Sequence, residues 1–249
     1  ILNRICKIPV RLTEFEMLCA AFAEYIKNKK VQYTLAEFGL LGRKDAVRAL
    51  FPAPDIHIIS PILFDHLHWL KNQKRNLKTL KEIVYEKTSF LKAKRIYIAK
   101  QNVHSLKFIK YYLKKRKCFY YGKDFWIKKK NGKYFYNDKK HSFIINSNLF
   151  GDFMYENACL SIKVAIDEGI PLSVIKKSLR KVKMPGRMMK IKSGKLRIGL
   201  PKSALVYADG AHNSLSSKCV CEALLDQYKN KDLYAIISMI SSKDPSSFL

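Results

Sequence analysis

With 48% hydrophobic and 27% charged residues, a chain of 249 residues can bury the core of one large domain or two modest ones, which excludes wholesale disorder. No apolar run approaches the ~18 residues that span a bilayer. Nor does a basic stretch followed by an apolar one open the chain as a secretory leader does, so it reads as cytoplasmic with no membrane partner. The net charge of +28 attracts polyanions, but Lys greatly outnumbers Arg and is spread along the chain instead of gathering beside stacking aromatics. Solvated basic faces are the better reading, and nucleic acid is not the expected partner. Six cysteines, at 6, 19, 118, 159, 219 and 221, include no Cys-x-x-Cys pair and read as reduced packing residues. Cys219 and Cys221 are two apart and so fall on different faces of a helix, which argues against a shared metal.

In chain order, Thr13 and Glu16 form a capping-box pattern, with Phe15, Leu18, Phe22 and Ile26 following at helical spacing, so a helix is expected over about 13–29. Strand-like runs follow at 31–37, 56–60 and 95–99, separated by helical or loop-like stretches, an alternation that argues α/β with a largely parallel sheet. Asn131-Gly132 lies between FWIKKK and KYFYN, the pattern of a β-hairpin whose lysines face solvent. A helix over about 155–168 stops before Gly169, and another begins near Pro171 and runs to about Lys181, where Pro185-Gly186 breaks the pattern. A strand at 204–208, a helix at about 213–228 and a strand at 233–238 make a new β-α-β unit, with a domain boundary expected near 188–200. Ile1 in place of Met, and a last strand with no helix to cover it, lead us to expect an internal piece of a longer protein.

The most informative segment is ALVYADGAHN at 204–213, where an apolar strand stops and a helix starts. In open α/β sheets ligands bind at such carboxyl ends, where helix N-terminal amides meet phosphate or hydroxyl groups. Asp209 can accept from ribose hydroxyls and His212 can meet a phosphate or assist proton movement; equally, Asp209 can simply begin a turn and Asn213 cap the helix.

Asp209-Gly210-Ala211-His212-Asn213 matches the Asp-Gly-Ala-His-Asn signature of the folylpolyglutamate synthase/dihydrofolate synthase family of the Mur ligase superfamily, and other segments resemble that family in the same order. EFGLLGRKDA (37–46) resembles its Glu-x-Gly-Leu-Gly-Gly-Arg-x-Asp-Ala block, and SPILFDH (60–66) its Ser/Thr-Pro-Ile-x-x-Asp-His block. EIVYEK (82–87), GDFMYENACLS (151–161) and Pro185-Gly186-Arg187 resemble three further blocks. The resemblance implies a mostly parallel, Mur ligase-type central ATPase domain over 1–190, followed by a partial Rossmann-like C-terminal domain over 191–249. It implies an ATP-dependent ligase that adds L-glutamate to folate or dihydropteroate through an acyl phosphate, with ATP and Mg²⁺ as cofactors.

Carried over residue by residue, the resemblance places Glu37 and His66 at a divalent metal, the alternative being that Glu37 caps a strand and His66 packs quietly. Lys87 falls where the family carries a carbamylated lysine, alongside the plainer reading of an ordinary lysine at a helix end. Asn157, Arg187 and Asp209 fall at ATP-contacting positions, and His212 joins Lys87 as a catalytic candidate. His57 and His68 read as structural or surface histidines. The pattern also departs from the family: no Gly-x-x-x-x-Gly-Lys-Ser/Thr occurs in the chain, Leu41 replaces a glycine, Thr88-Ser89-Phe90 replaces Ala-Gly-Ile, and Asp152-Phe153 replaces His-Gln. Without the phosphate loop, productive ATP binding by this chain alone is not expected, and the protein is expected to be a monomer that an N-terminal fragment could complement. Three alternatives stand beside this reading: a noncatalytic or split-gene remnant, another Mur-type ligase, and a basic nucleic-acid-binding module.

Overall fold

In the computed structural model, which describes residues 10–27, 29–63 and 79–238, Thr13 opens the first helix in the way its capping box requires. Its hydroxyl accepts from the Glu16 amide at 3.3 Å and its own amide donates to the Glu16 carboxylate at 2.8 Å. Helix α1 then spans Glu14–Lys27, with Cys19 buried but Leu18 59% exposed, so the apolar spacing specified a helix without burying its whole stripe.

The chain sorts into two compact units, Ile1–Tyr97 with Gln101–Cys118, and Ile98–Lys100 with Phe119–Leu249. After α1 come the short helix α2 (Ala46–Leu50), strand β1 (Ile56–Ile59), α3 (Leu80–Thr88), β2 (Arg95–Ile98), α4 (Val103–Leu113) and β3 (Cys118–Tyr120). The strands form a sheet of order β1-β2-β3, the arrangement that helical crossovers permit for parallel strands. Ile96, Tyr97 and Ile98 are fully buried, as the continuous apolar run of a central parallel strand should be. Both covering helices are capped: Thr79 and Glu82 form a capping box before α3, and the Asn102 side chain accepts from the Ser105 amide at 2.7 Å before α4.

His57 on β1 lies 5.3 Å from the ring of Phe38 and 6.2 Å from that of Phe90, centroid to centroid. Burial in this aromatic setting lowers its pKa from 6.5 to about 4, consistent with a packing role. Its contribution to stability is complete above about pH 6.5, where it is neutral in both states, and is lost as pH falls toward 4, because the unfolded chain takes up the proton first. Allowing for partial solvent screening, the loss should be about 2 kcal/mol. Urea unfolding as a function of pH should show this slope in the wild type and not in His57→Phe.

In the second unit, β4 (Phe125–Lys130) and β5 (Lys133–Asp138) pair antiparallel with Lys130 opposite Lys133. Asn131 and Gly132 turn between them at φ of 49° and 70°, as a type I′ hairpin demands. Strand β6 (Ser142–Ile144) extends the sheet along β5. Helix α5 begins at Asp152, earlier than expected, and ends at Asp167; Gly169, at φ 77°, turns the chain into α6 (Leu172–Leu179) behind Pro171. Strands β7 (Met189–Lys190) and β8 (Tyr207–Ala208) pair antiparallel, and α7 runs Ser214–Gln227.

Three expected strands need correction. Residues 31–37 form no strand: Val31, Tyr33 and Leu35 alternate correctly but are 51%, 55% and 88% exposed, with no neighbouring ladder among the described residues. The run at 204–208 shortens to Tyr207–Ala208, and 233–238 is irregular, with Tyr234 93% exposed. Strand propensity is realised only against a partner strand and a packed face: 31–37 and 233–238 have no partner strand among the described residues, and 204–208 meets one, β7, only at its last two residues. Among the described residues no helix is long and apolar enough to cross a membrane.

Candidate functional site

In the first unit, the chain after Glu37 is held by its own carboxylates. Asp45 accepts from the Leu40 amide at 2.8 Å and, as N-cap of α2, from the Val47 amide at 2.9 Å, closing the loop 40–45 on itself. Arg43 then reaches α3, donating from Nε and Nη2 to the two oxygens of Glu86 at 2.9 and 2.8 Å, while its amide donates to the Glu86 carbonyl at 3.1 Å. The fork raises the Arg43 pKa further, chiefly through the hydrogen bonds to Glu86. Two of the family-like blocks, 37–46 and 82–87, are thus physically joined. Lys87 is half-buried in the last turn of α3, one residue beyond this ion pair.

Leu41 stands at φ 53°, the left-handed region that a glycine enters without cost and that a branched side chain resists. Leu41→Gly should therefore leave stability unchanged or raise it by up to about 1 kcal/mol, a shift that thermal unfolding can read. Gly42 is needed next to it, because a Cβ there would lie 2.7 Å from the Phe90 ring.

The Ser60-Pro61-Ile62 start of the 60–66 block is clamped by Ser105 on α4 and by Gln101, two residues before that helix. Gln101 donates to the Ser60 carbonyl and accepts from the Ile62 amide, each at 2.9 Å, and the Ser105 hydroxyl donates to the Ile62 carbonyl at 2.6 Å. His66, like His68, lies outside the described residues. Glu37 is an exposed carboxylate in an irregular segment, not at a strand end as expected. Among the described residues no three His, Cys, Asp or Glu side chains gather to hold a metal. Mg²⁺ takes few protein oxygens and completes its shell with phosphate oxygens and water, so a single carboxylate of the Glu37 type fits its chemistry.

In the second unit the two signature segments meet through β7 and β8. Beyond the paired strands, the Gly210 amide donates to the Gly186 carbonyl at 2.8 Å, and the Met188 amide donates to Asp209 Oδ2 at 2.7 Å. Asp209 Oδ1 accepts from the Ala211 amide at 2.7 Å. Asp209 therefore does begin a turn, and it also fastens the Pro185-Gly186-Arg187 loop to its own. Met188, buried and at φ 42°, is held in that conformation by this bond. The structure confirms the helix cap as well: Asn213 and Ser216 form a capping box at the start of α7.

Arg187 is exposed, and its Nη1 lies 3.3 Å from the Gly186 carbonyl. A Cβ at Gly210 would fall 2.1 Å from that nitrogen, so the absent side chain at 210 is what leaves room for the guanidinium. His212, exposed, places Nδ1 2.8 Å from the Gly210 carbonyl. A carbonyl can only accept, so Nδ1 carries the hydrogen and Nε2 is the ring's remaining polar atom. Arg187, Asp209 and His212 thus come together around Gly210. Asn157 lies apart from this loop in sequence, exposed on α5, with its carbonyl accepting from Ser161 at 3.3 Å.

Reading the residues alone missed Arg43, Asp45 and Glu86 as an assembly. Asp45 ahead of the apolar AVRAL was a legible cap signal, whereas no spacing rule links Arg43 to a carboxylate so distant in the chain.

No family model matches the chain. It is 25% identical over 248 residues to the dihydrofolate synthase/folylpolyglutamate synthase of Bacillus subtilis, an alignment covering 93% of this chain and 54% of that protein. The folylpolyglutamate synthase of Thermotoga maritima superposes with a TM-score of 0.75 at 21% identity, over 99% of this chain and 56% of the other. The folylpolyglutamate synthase of Mycobacterium tuberculosis, solved with ADP and AMPPCP, gives 0.70 at 18% identity over 89% and 50%. The chain spans about half the length of these relatives. In sequence it is similar to, and in fold it matches, a stretch of the folylpolyglutamate/dihydrofolate synthases.

Proposed function

We propose that this chain is part of an ATP-dependent ligase that joins L-glutamate to the carboxylate of a folate or of dihydropteroate. The observation that carries the reading is the junction of Pro185-Gly186-Arg187 with Asp209-Gly210-Ala211-His212, two segments distant in sequence that hydrogen bonds lock into one loop pair presenting a guanidinium and an imidazole. In this reading residues 1–190 belong to a nucleotide-binding domain and 191–249 to the start of the next.

The proposed reaction transfers the γ-phosphoryl of ATP to the substrate carboxylate. The glutamate amine then attacks the acyl phosphate carbon, the C–O bond to phosphate breaks, and an amide, phosphate and ADP result. Arg187 supplies a planar cation suited to bracing phosphate oxygens as charge shifts during transfer. Asp209 keeps lone pairs for a ribose hydroxyl beyond the two backbone amides it accepts from. Nε2 of His212 is placed to accept or pass a proton, and Asn157 adds an amide for the nucleotide. Glu37 and His66 would hold Mg²⁺, which neutralises the phosphates when bound. Lys87, half-buried beside the Arg43–Glu86 pair, stands where the resemblance puts a carbamylated lysine, whose amine would add to CO₂ and give up a proton to form an anionic carbamate.

The relatives with folate in their names support an acceptor of the folate class, and the acceptor is testable. With a segment bearing Gly-x-x-x-x-Gly-Lys-Ser/Thr supplied alongside, labelled glutamate should be incorporated into dihydropteroate or tetrahydrofolate and not into a UDP-muramoyl acceptor. Incorporation into the muramoyl compound alone would move the chain to another branch of Mur-type ligases. Retention on DNA that falls steeply with salt, and no ligation, would favour a nucleic-acid module instead.

A further inference from the structure

A separate cavity of about 630 Å³ lies within the second unit, between the β5–β6 turn and the corner joining α5 to α6. Its volume is in the range of small-molecule sites. One wall is apolar, formed by Ile166, Ile170, Pro171 and Leu172. The opposite side is a buried polar network centred on Asp138, whose side chain is 5% exposed.

Asp138 accepts from the amides of Lys140 and His141 at 2.8 and 2.7 Å and from the Tyr136 hydroxyl at 2.7 Å, and it faces His141 Nδ1 at 3.1 Å. Burial alone would raise this carboxyl, but those donors outweigh it and hold the group below the usual carboxylate range. The other two acidic side chains of the lining are engaged as well. Asp167 accepts from Lys163 at 2.7 Å, and Asp124 accepts from the Tyr120 amide at 2.8 Å. Lys163 also sits 5.6 Å above the Phe119 ring and 4.0 Å from Asp138.

The three aspartates and three lysines of the lining balance in formal charge, but the carboxylates are engaged by protein donors, so the charged groups exposed at the cavity's mouth are the two lysines that follow Asp138. Lys139 and Lys140 are exposed at its edge, and His141, with Nδ1 turned to Asp138, retains Nε2. A ligand that satisfies both sides carries one anionic group on a hydrocarbon body. We propose that this cavity binds a small amphipathic carboxylate, its anion against Lys139, Lys140 and His141 and its apolar body against Ile170, Pro171 and Leu172. None of these residues belongs to the ligase site proposed above, so either assignment can fail without the other.

The test is a methyl-resolved NMR titration of the full chain with 2-naphthoate, and with 2-naphthamide as its uncharged counterpart. Saturable shifts of the Ile166, Ile170 and Leu172 methyls are expected with the carboxylate, with binding about fivefold weaker for the amide and for the exposed double variant Lys139→Ala/Lys140→Ala. Equal affinity of carboxylate and amide, equal affinity of wild type and double variant, or no saturable shift at those methyls would each overturn the assignment.

Discussion

Arg43→Met should lower the free energy of unfolding by about 3 kcal/mol, measured by urea denaturation at neutral pH. The Arg43 and Glu86 side chains are 22% and 7% exposed, and their two hydrogen bonds are 2.9 and 2.8 Å long. Removing the guanidinium takes both bonds from a carboxylate that water can hardly reach, and that loss of solvation, more than the lost attraction, sets the cost. The companion Arg43→Met/Glu86→Leu should recover most of the loss, since it leaves no charge to solvate. A loss under about 1 kcal/mol for the single variant would mean that the pair is solvated and does not hold loop 40–45 to α3.

Gly151→Ala should cost a similar amount, about 3 kcal/mol, by a different route. Gly151 precedes α5 at φ 77°, and a Cβ there would lie 2.6 Å from the Cβ of Ala223 on α7 and 3.0 Å from the Phe153 ring. Part of the cost is the backbone conformation, about 1 kcal/mol. The remainder is the collision with a methyl group that has no rotamer by which to move. Ala223→Gly in the same chain should therefore return the collision share and leave the backbone share, which thermal unfolding of the single and double variants can separate.

The elements that were legible in the sequence are those whose signals are local. Asn131-Gly132 dictated its hairpin because only a type I′ turn uses two successive positive φ values, and Thr13, Asn213 and Pro171 marked helix starts because their capping is settled within a few residues. The failures share the opposite property. Residues 31–37 and 233–238 have the composition of strands, but a strand exists by pairing, and no local feature reports whether a partner is present. The signature at 209–213 revealed a candidate site but not its construction. That Asp209 bonds the Met188 amide, or that Gly210 makes room for Arg187 without itself needing a positive φ, depends on β7 and β8 lying side by side. Those strands are two residues each, too short for periodicity to announce.

The loop pair built on Gly186 and Gly210 is the centre of the functional reading, and Gly210→Ala tests it with little disturbance elsewhere, since the atom displaced is the end of the Arg187 side chain. The measurement is ATP-dependent transfer of labelled glutamate to dihydropteroate or tetrahydrofolate, with the chain joined to a segment that carries a phosphate-binding loop. The expected result is amide product and ADP from the wild type, and a loss of about tenfold or more for both Gly210→Ala and Arg187→Ala at an unchanged unfolding midpoint. No product from the wild type, or undiminished turnover by both folded variants, would contradict it.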